Sequence, residues 1–281
     1  MSIALIGAGG KMGCRITDNL KDSDFETFYV EISEKGIENL AQRGLSPTPQ
    51  DVALAKADVV IMALPDVLIG KLSPSIVAKM NSGSMLIVLD PAAAFLNKLP
   101  KRDDITYFIS HPCHPPIFND ETTPEAKRDF FGGIIAKQAI VCALMQGPEE
   151  DYAKGEAIAK VMYSPVFRSH RITVEQMAIL EPTLAETISS TLVVFLGQAL
   201  EETVKRGVPY EAARDFLLGH INIQLAVVLK ELDIQFSDAC LVAIEYGKKY
   251  LINEGWEKLF DPDKVYEQVD VMLHPEKLKE L

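Results

Sequence analysis

The segment Ile3-Ala4-Leu5-Ile6-Gly7-Ala8-Gly9-Gly10-Lys11-Met12-Gly13 constrains this chain more than any other. An apolar, β-branched run stops at a glycine, more glycines follow at 9, 10 and 13, and a helical pattern begins at about Lys11. A strand that turns directly into a helix leaves the first N–H groups of that helix unpaired and facing outward, where they suit a diphosphate. In this reading Gly7 allows the tight turn, Gly10 lets the main chain approach the phosphates with Lys11 and Met12 beside it, and Gly13 lets the helix close on the strand. The spacing is GxxGxxG, or GxGxxxG if Gly9 is counted, so its weight comes from its place between strand and helix.

The second apolar run, TFYVE, ends at Glu31, eighteen residues past Gly13. A carboxylate there accepts hydrogen bonds from the adenosine ribose hydroxyls and repels a 2′-phosphate, and no Arg cluster follows it, so NAD is expected over NADP. Ala63-Leu64-Pro65-Asp66 closes a later run on the same sheet edge, which makes Pro65 and Asp66 cofactor candidates, and Asp90-Pro91 closes the next.

The first 170 residues keep alternating short apolar runs with amphipathic stretches: VVIMAL, MLIVLD, ITYFIS, AIVCALM and PVFRSH. Runs that are apolar on both faces and closed by Gly, Pro or Asp predict a parallel sheet covered by helices, an α/β doubly wound Rossmann domain. Beyond Arg171 the strand pattern stops and helical periodicity takes over at 174–206, 210–232 and 236–253. Pro182 is expected to kink the first of these helices or divide it in two. The expected division is therefore an NAD-binding Rossmann domain over 1–170 and a smaller all-α substrate and dimerisation domain over 171–281. Those helices are too apolar to bury within about 110 residues, which predicts a homodimer built on them.

Composition narrows the partners. With 28 Lys+Arg against 40 Asp+Glu the net charge is −12, which repels nucleic-acid phosphates and anionic lipid. Uninterrupted apolar stretches such as Thr191 to Leu196 fall short of the ~20 residues of a membrane span, and no basic segment precedes the first strand, so neither a membrane nor a secretory signal is expected. Cys14, Cys113, Cys142 and Cys240 lie far apart without CxxC spacing, which fits a reducing cytoplasm and neither a disulfide framework nor a zinc knuckle.

Three clusters carry substrate-side chemistry. Ser110-His111-Pro112-Cys113-His114-Pro115-Pro116 follows a strand and places two imidazoles on a proline-stiffened loop, which suits proton transfer or metal ligation. Glu175, Glu181 and Glu186 lie along an otherwise apolar helix, where a carboxylate is costly unless paired, protonated or metal-bound. The third cluster, Gly219-His220-Ile221-Asn222, sits in an equally apolar helix, and its glycine predicts a close approach by a ligand or another helix. His114, Glu181, Glu186 and His220 are the catalytic candidates, and His114 with Glu181 the pair for a divalent metal.

The fingerprint IALIGAGGKMG, the acidic end of the second strand and the helical tail resemble the 6-phosphogluconate dehydrogenase-like superfamily over the whole length. HPCHPPIFND and EQMAILEP are similar to its small two-domain members with a phosphogluconate dehydrogenase C-terminal-like domain, in particular to the branched-sugar-acid oxidoisomerases. The resemblance implies NAD-dependent oxidation of a branched sugar acid coupled to a skeletal shift, and a cation for the substrate carboxylate from Arg168, Arg171 or Lys137. VEQMAIL is similar to the metal-binding GEQ helix of ketol-acid reductoisomerase, yet Arg171 stands where that pattern has an Asp and His220 where it has a Glu. GAGGKMG also resembles dihydrodipicolinate reductase, whose other segments are missing, and the KxxHN-like pair of true 6-phosphogluconate dehydrogenases is missing too. The competing expectations are a plain hydroxyacid or prephenate-type dehydrogenase and, in another class, a non-catalytic NAD sensor.

Overall fold

All five residues of the first strand, β1 (Ser2–Ile6), are buried, and this sets the layering of the fold. The computed structural model describes residues 1–280. β1 lies between β2 (Glu26–Val30) and β3 (Val59–Met62), and β4 (Met85–Val88), β5 (Thr106–Pro112), β6 (Gln138–Gln146) and β7 (Val166–Arg171) extend the sheet in the order β2-β1-β3-β4-β5-β6-β7. Every strand expected from the sequence is present. β1 to β5 are parallel, but an all-parallel sheet needs a correction at β6, which runs antiparallel to β5 while β7 runs parallel to β6. The reason lies in residues 113–137, which form no crossover helix beyond one short turn at Ala126–Arg128, so the chain returns beside the strand it has just left.

Helices α1 (Lys11–Lys21), α2 (Glu34–Ala41), α3 (Gln50–Lys56), α4 (Asp66–Val77), α5 (Ala92–Phe95) and α6 (Asp151–Met162) connect the strands. Alternate strand residues feed two apolar layers, with Ala4, Ile6, Val60, Met62, Leu86 and Val88 on one face. Ile3, Leu5, Val59, Ile61, Met85 and Ile87 supply the other. Each large aliphatic side chain so buried contributes roughly 1.5–3 kcal/mol, enough to hold the strand ends that carry the site. Gly155 lets α6 lie against β5, since a Cβ there would come within 2.5 Å of the Phe108 ring. The Asn19 side chain donates to the carbonyls of Met162 at 2.9 Å and Gly133 at 3.2 Å, which ties α1 to the end of α6 and to the loop before β6.

α7 (Val174–Ala178) starts on a capping box between Thr173 and Gln176, passes into a π-helical stretch (Ile179–Ser190) and continues as α8 (Thr191–Lys205). Pro182 does not divide this helix: helical winding runs on from Val174 to Lys205 and is π-helical around the proline. The chain accommodates the missing N–H and the ring by winding wider for twelve residues. α9 (Tyr210–Val228) and α10 (Asp238–Leu251) match expectation, and α11 (Pro262–Leu273) is an addition.

Two compact units result, one of residues 1–180 with 269–281 and the other of 181–268. The change of period at 171 does not coincide with this division, because Val174 and Met177 of α7 are buried in the first unit's core. At the other end Val269 and Leu273 return to pack with Ala92 and Leu96. Among the described residues, the second unit buries only Pro182, Thr183, Ala213, Ala226 and Val265. Val193, Val194, Phe216, Val242, Tyr246 and Tyr250 are between 61% and 73% exposed. The helix Val174–Lys205 is long and apolar enough to cross a membrane, which the uninterrupted apolar runs of the sequence did not anticipate.

Candidate active site

The carboxyl ends of β1 to β5 gather the glycine turn, Glu31, Asp66, Asp90 and the loop histidines on one edge of the sheet, where ligands of doubly wound folds bind. Gly7 adopts φ +80° and donates its N–H to Val30 O at 2.9 Å. A Cβ on Gly7 would meet Ala63 O at 2.5 Å and one on Gly13 would meet Gly7 O at 1.9 Å, so strand, turn and helix touch through bare main chain. The nearest atom to a Cβ on Gly10 is Gly7 O at 3.2 Å, and Gly10 precedes the first turn of α1 in extended conformation. This glycine cradle, with the amides of Lys11 and Met12 at its mouth, fits the diphosphate of a dinucleotide.

Glu31 does more than its position in the sequence indicates. Its Oε2 accepts Gly9 N at 3.0 Å, and its Oε1 accepts Ile32 N at 2.8 Å, Ser33 N at 2.9 Å and Ser33 Oγ at 3.0 Å. Partial burial pushes this carboxyl upward, but the hydrogen bonds from Ser33, Ile32 and Gly9 outweigh it and hold Glu31 below the usual carboxylate range. Asn39 Nδ2 donates to Gly9 O at 2.9 Å, so the Gly9 peptide is held from both sides. Gly9 also abuts Gly36, since a Cβ on Gly9 would come within 2.2 Å of the Gly36 carbonyl oxygen. Gly36 and Asn39 were missed in the sequence; a glycine two residues into a helix at the acidic strand end was the available signal.

Pro65 and Asp66 start α4, and Asp90 ends β4 with Oδ1 accepting Ala92 N at 2.7 Å. Asp66 is exposed as a residue, yet desolvation of its carboxyl, with repulsion from Asp90 adding to it, raises it to about 7.

His111 donates its Nδ1–H to Leu89 O at 2.8 Å; since a carbonyl can only accept, Nε2 is the bare nitrogen. Burial, with the neighbouring His114 adding to it, lowers His111 to about 4, so this ring is neutral at physiological pH. His114, in the left-handed region at φ +62°, donates its Nδ1–H to Phe131 O at 2.9 Å. The two imidazoles stand edge to face at 6.2 Å. Two imidazoles whose Nδ1–H is fixed by a main-chain carbonyl present Nε2 as the acceptor, which equips them to take a proton from a hydroxyl. Phe131, seventeen residues along from His114, gave no signal in the sequence.

Of the three cations considered for a substrate carboxylate, Arg171 pairs with Glu149 and stacks on Tyr152 at 4.2 Å. Arg168 lies over Phe167 at 5.6 Å, and Lys137 lines a recess of about 340 Å³ with Pro116, Asn119 and Glu121. In the second unit Glu181 is half-buried and Glu186 exposed. His220 donates Nδ1–H to Phe216 O at 2.8 Å and stacks on that ring at 4.0 Å. Among the described residues nothing outside its own helix backbone comes within 4 Å of a Cβ on Gly219, so the close approach of another helix expected there is not seen within one copy. Among the described residues no three His, Cys, Asp or Glu side chains converge as a metal set.

Comparison with known proteins agrees with this geometry. Residues 1–115 match the family model described as the NADPH-binding domain of acetohydroxy acid isomeroreductase, and 119–273 match that of the phosphogluconate dehydrogenase (decarboxylating) C-terminal domain. The D-apionate oxidoisomerase of Rhizobium rhizogenes is 56% identical over 94% of this chain and 96% of its own length. That of Cupriavidus necator is 54% identical over 95% and 97%. A crystal structure of a semialdehyde dehydrogenase NAD-binding protein from Cupriavidus necator, in complex with calcium and NAD, superposes with a TM-score of 0.94 at 54% identity, covering 96% of this chain and 98% of that one. An NADH-preferring ketol-acid reductoisomerase from an uncultured archean shares the fold at 18% identity and a TM-score of 0.69, over 99% of this chain and 86% of its own. With such identity carried through both units and with the glycine cradle and acidic strand end in place, this chain belongs to the D-apionate oxidoisomerase family.

Proposed function

We propose that this protein oxidises D-apionate with NAD and rearranges its carbon skeleton, giving 3-oxo-isoapionate and NADH, with His114 as the general base. The observation that carries the assignment of the base is the pair of imidazoles at the sheet edge, each with Nδ1–H tied to a main-chain carbonyl so that Nε2 is the acceptor. NAD, when bound in the glycine cradle, supplies the hydride acceptor. Lys11, Met12, Pro65 and Asp66 would hold it along the sheet edge, and Glu31 would accept from its adenosine ribose. His114 Nε2 takes the proton of the substrate hydroxyl as the hydride leaves the same carbon, a contribution of roughly 10²–10⁴ in rate. His111 stays neutral and offers an acceptor only. Glu181, Glu186 and His220, in the helical part assigned to substrate and dimer contacts, enter as candidates by residue chemistry.

The second partner is another copy of this chain. Residues 181–268 bury almost nothing of their own, and an apolar groove of about 540 Å³ lined by Leu192, Phe195, Ile244, Leu251 and Ile252 lies open among α8, α9 and α10. Four free, separated cysteines fit residence in a reducing cytoplasm.

The test is to incubate the protein with D-apionate and NAD, follow NADH, and identify the product by NMR. A rearranged keto acid is expected, with turnover lost in His114→Ala and NAD binding kept. An unshifted skeleton indicates a plain dehydrogenase, NAD binding without turnover a sensor, and full turnover in His114→Ala removes the base.

A further inference from the structure

The loop between β5 and β6 reaches α1 through one aromatic side chain. Asp129 accepts the N–H groups of Gly132, Ile135 and Ala136 at 3.1, 2.9 and 3.1 Å, and Gly132 and Gly133 take φ +72° and +78°, so the segment around Phe131 is a built turn. Lys11 Nζ lies 4.5 Å and Arg15 Cζ 4.8 Å from the centroid of the Phe131 ring. The same ring meets His114 edge to face at 5.7 Å, and the Phe131 carbonyl accepts His114 Nδ1–H at 2.9 Å.

Among the described residues neither Lys11 nor Arg15 forms an ion pair, in a chain with twelve more acidic than basic side chains. Arg15 Nε is buried without a hydrogen-bond partner. An aromatic face attracts cations without neutralising them, so two positive charges stand ready beside the glycine cradle.

We infer that Phe131 is a positioning residue that couples the cofactor to the base: its ring holds Lys11 and Arg15 for the diphosphate, and the edge of that same ring, together with the Phe131 carbonyl, holds the His114 imidazole. The inference rests on the proposed roles of the cradle and of His114. It predicts that loosening the ring disturbs both NAD affinity and proton transfer, since one residue anchors both.

Phe131→Leu keeps the carbonyl and the apolar bulk but removes the π face, while Phe131→Tyr keeps that face. In calorimetry, Phe131→Leu is expected to weaken NAD binding by roughly two- to fivefold for each cation released. At saturating NAD it is also expected to lower kcat severalfold, and Phe131→Tyr to restore both. In a Lys11→Met, Arg15→Met background the loss of affinity on going to Leu should vanish. Unchanged affinity in Phe131→Leu, equal losses in Leu and Tyr, or a raised KM for NAD with unchanged kcat each overturn the coupling. Failure of wild type to bind or reduce NAD counts instead against the underlying function.

Discussion

Glu31 Oε2 accepts the main-chain N–H of Gly9 at 3.0 Å, so the end of the second strand holds the glycine turn in the shape a diphosphate needs. The carboxylate assigned to the ribose is also a structural member of the cradle. Glu31→Gln leaves a single acceptor oxygen for four donors and removes the charge that strengthens each bond. Losing charge-assisted bonds worth about 1.5–3 kcal/mol should weaken NAD binding roughly ten- to hundredfold by calorimetry. A change below twofold would show that the turn keeps its shape unaided.

The Asp66–Asp90 pair makes stability depend on pH in an unusual direction. A carboxyl raised to about 7 in the folded state binds a proton the unfolded chain has already released, so the fold loses support as pH rises from the ordinary carboxylate range through 7. Asp66→Asn removes the repulsion. Its melting temperature should exceed wild type clearly at pH 8 and little at pH 5, and equal shifts at both pH values would contradict the raised Asp66 carboxyl.

His111 works in the opposite sense. With a folded value of about 4, it remains neutral while the unfolded imidazole protonates near 6.5, so stability is fully present above that point and declines as pH falls toward 4. Denaturant titration at pH 5 should give about 2 kcal/mol less stability from this group than at pH 7, a difference that His111→Gln should largely abolish. Equal pH dependence in the variant would place the loss elsewhere.

Charges on the open helical face should separate the copies. Val193 and Val242 are 63% and 71% exposed, and Val193→Asp combined with Val242→Asp should turn a dimer in sedimentation into a monomer with reduced thermal stability. A wild-type monomer at micromolar concentration would refute the second-copy partner.

Much of the first unit was legible because strand-then-glycine-then-helix is dictated by local sterics, and runs apolar on both faces have few other homes. His111 and His114 could be placed at the sheet edge for the same reason. Phe131 could not, because its approach to Lys11 depends on a turn built by Asp129 and two left-handed glycines rather than on any period. The antiparallel turn-back at β6 was hidden because a strand pattern carries no direction. Pro182 was read as a kink or a division into two helices, and only the wider winding around it shows how a helix continues through a missing donor. Apolarity in 181–268 was plain; whether one chain could cover it was not.

The last turns of the chain give the helical segment an unexpected topology. Because Val269 and Leu273 come home to Ala92 and Leu96, residues 181–268 are an insertion with two covalent roots instead of a tail with one. Such a loop cannot be traded between copies like a loose arm; the C-terminal latch has to open first, and clipping it would leave the segment hanging from a single thread.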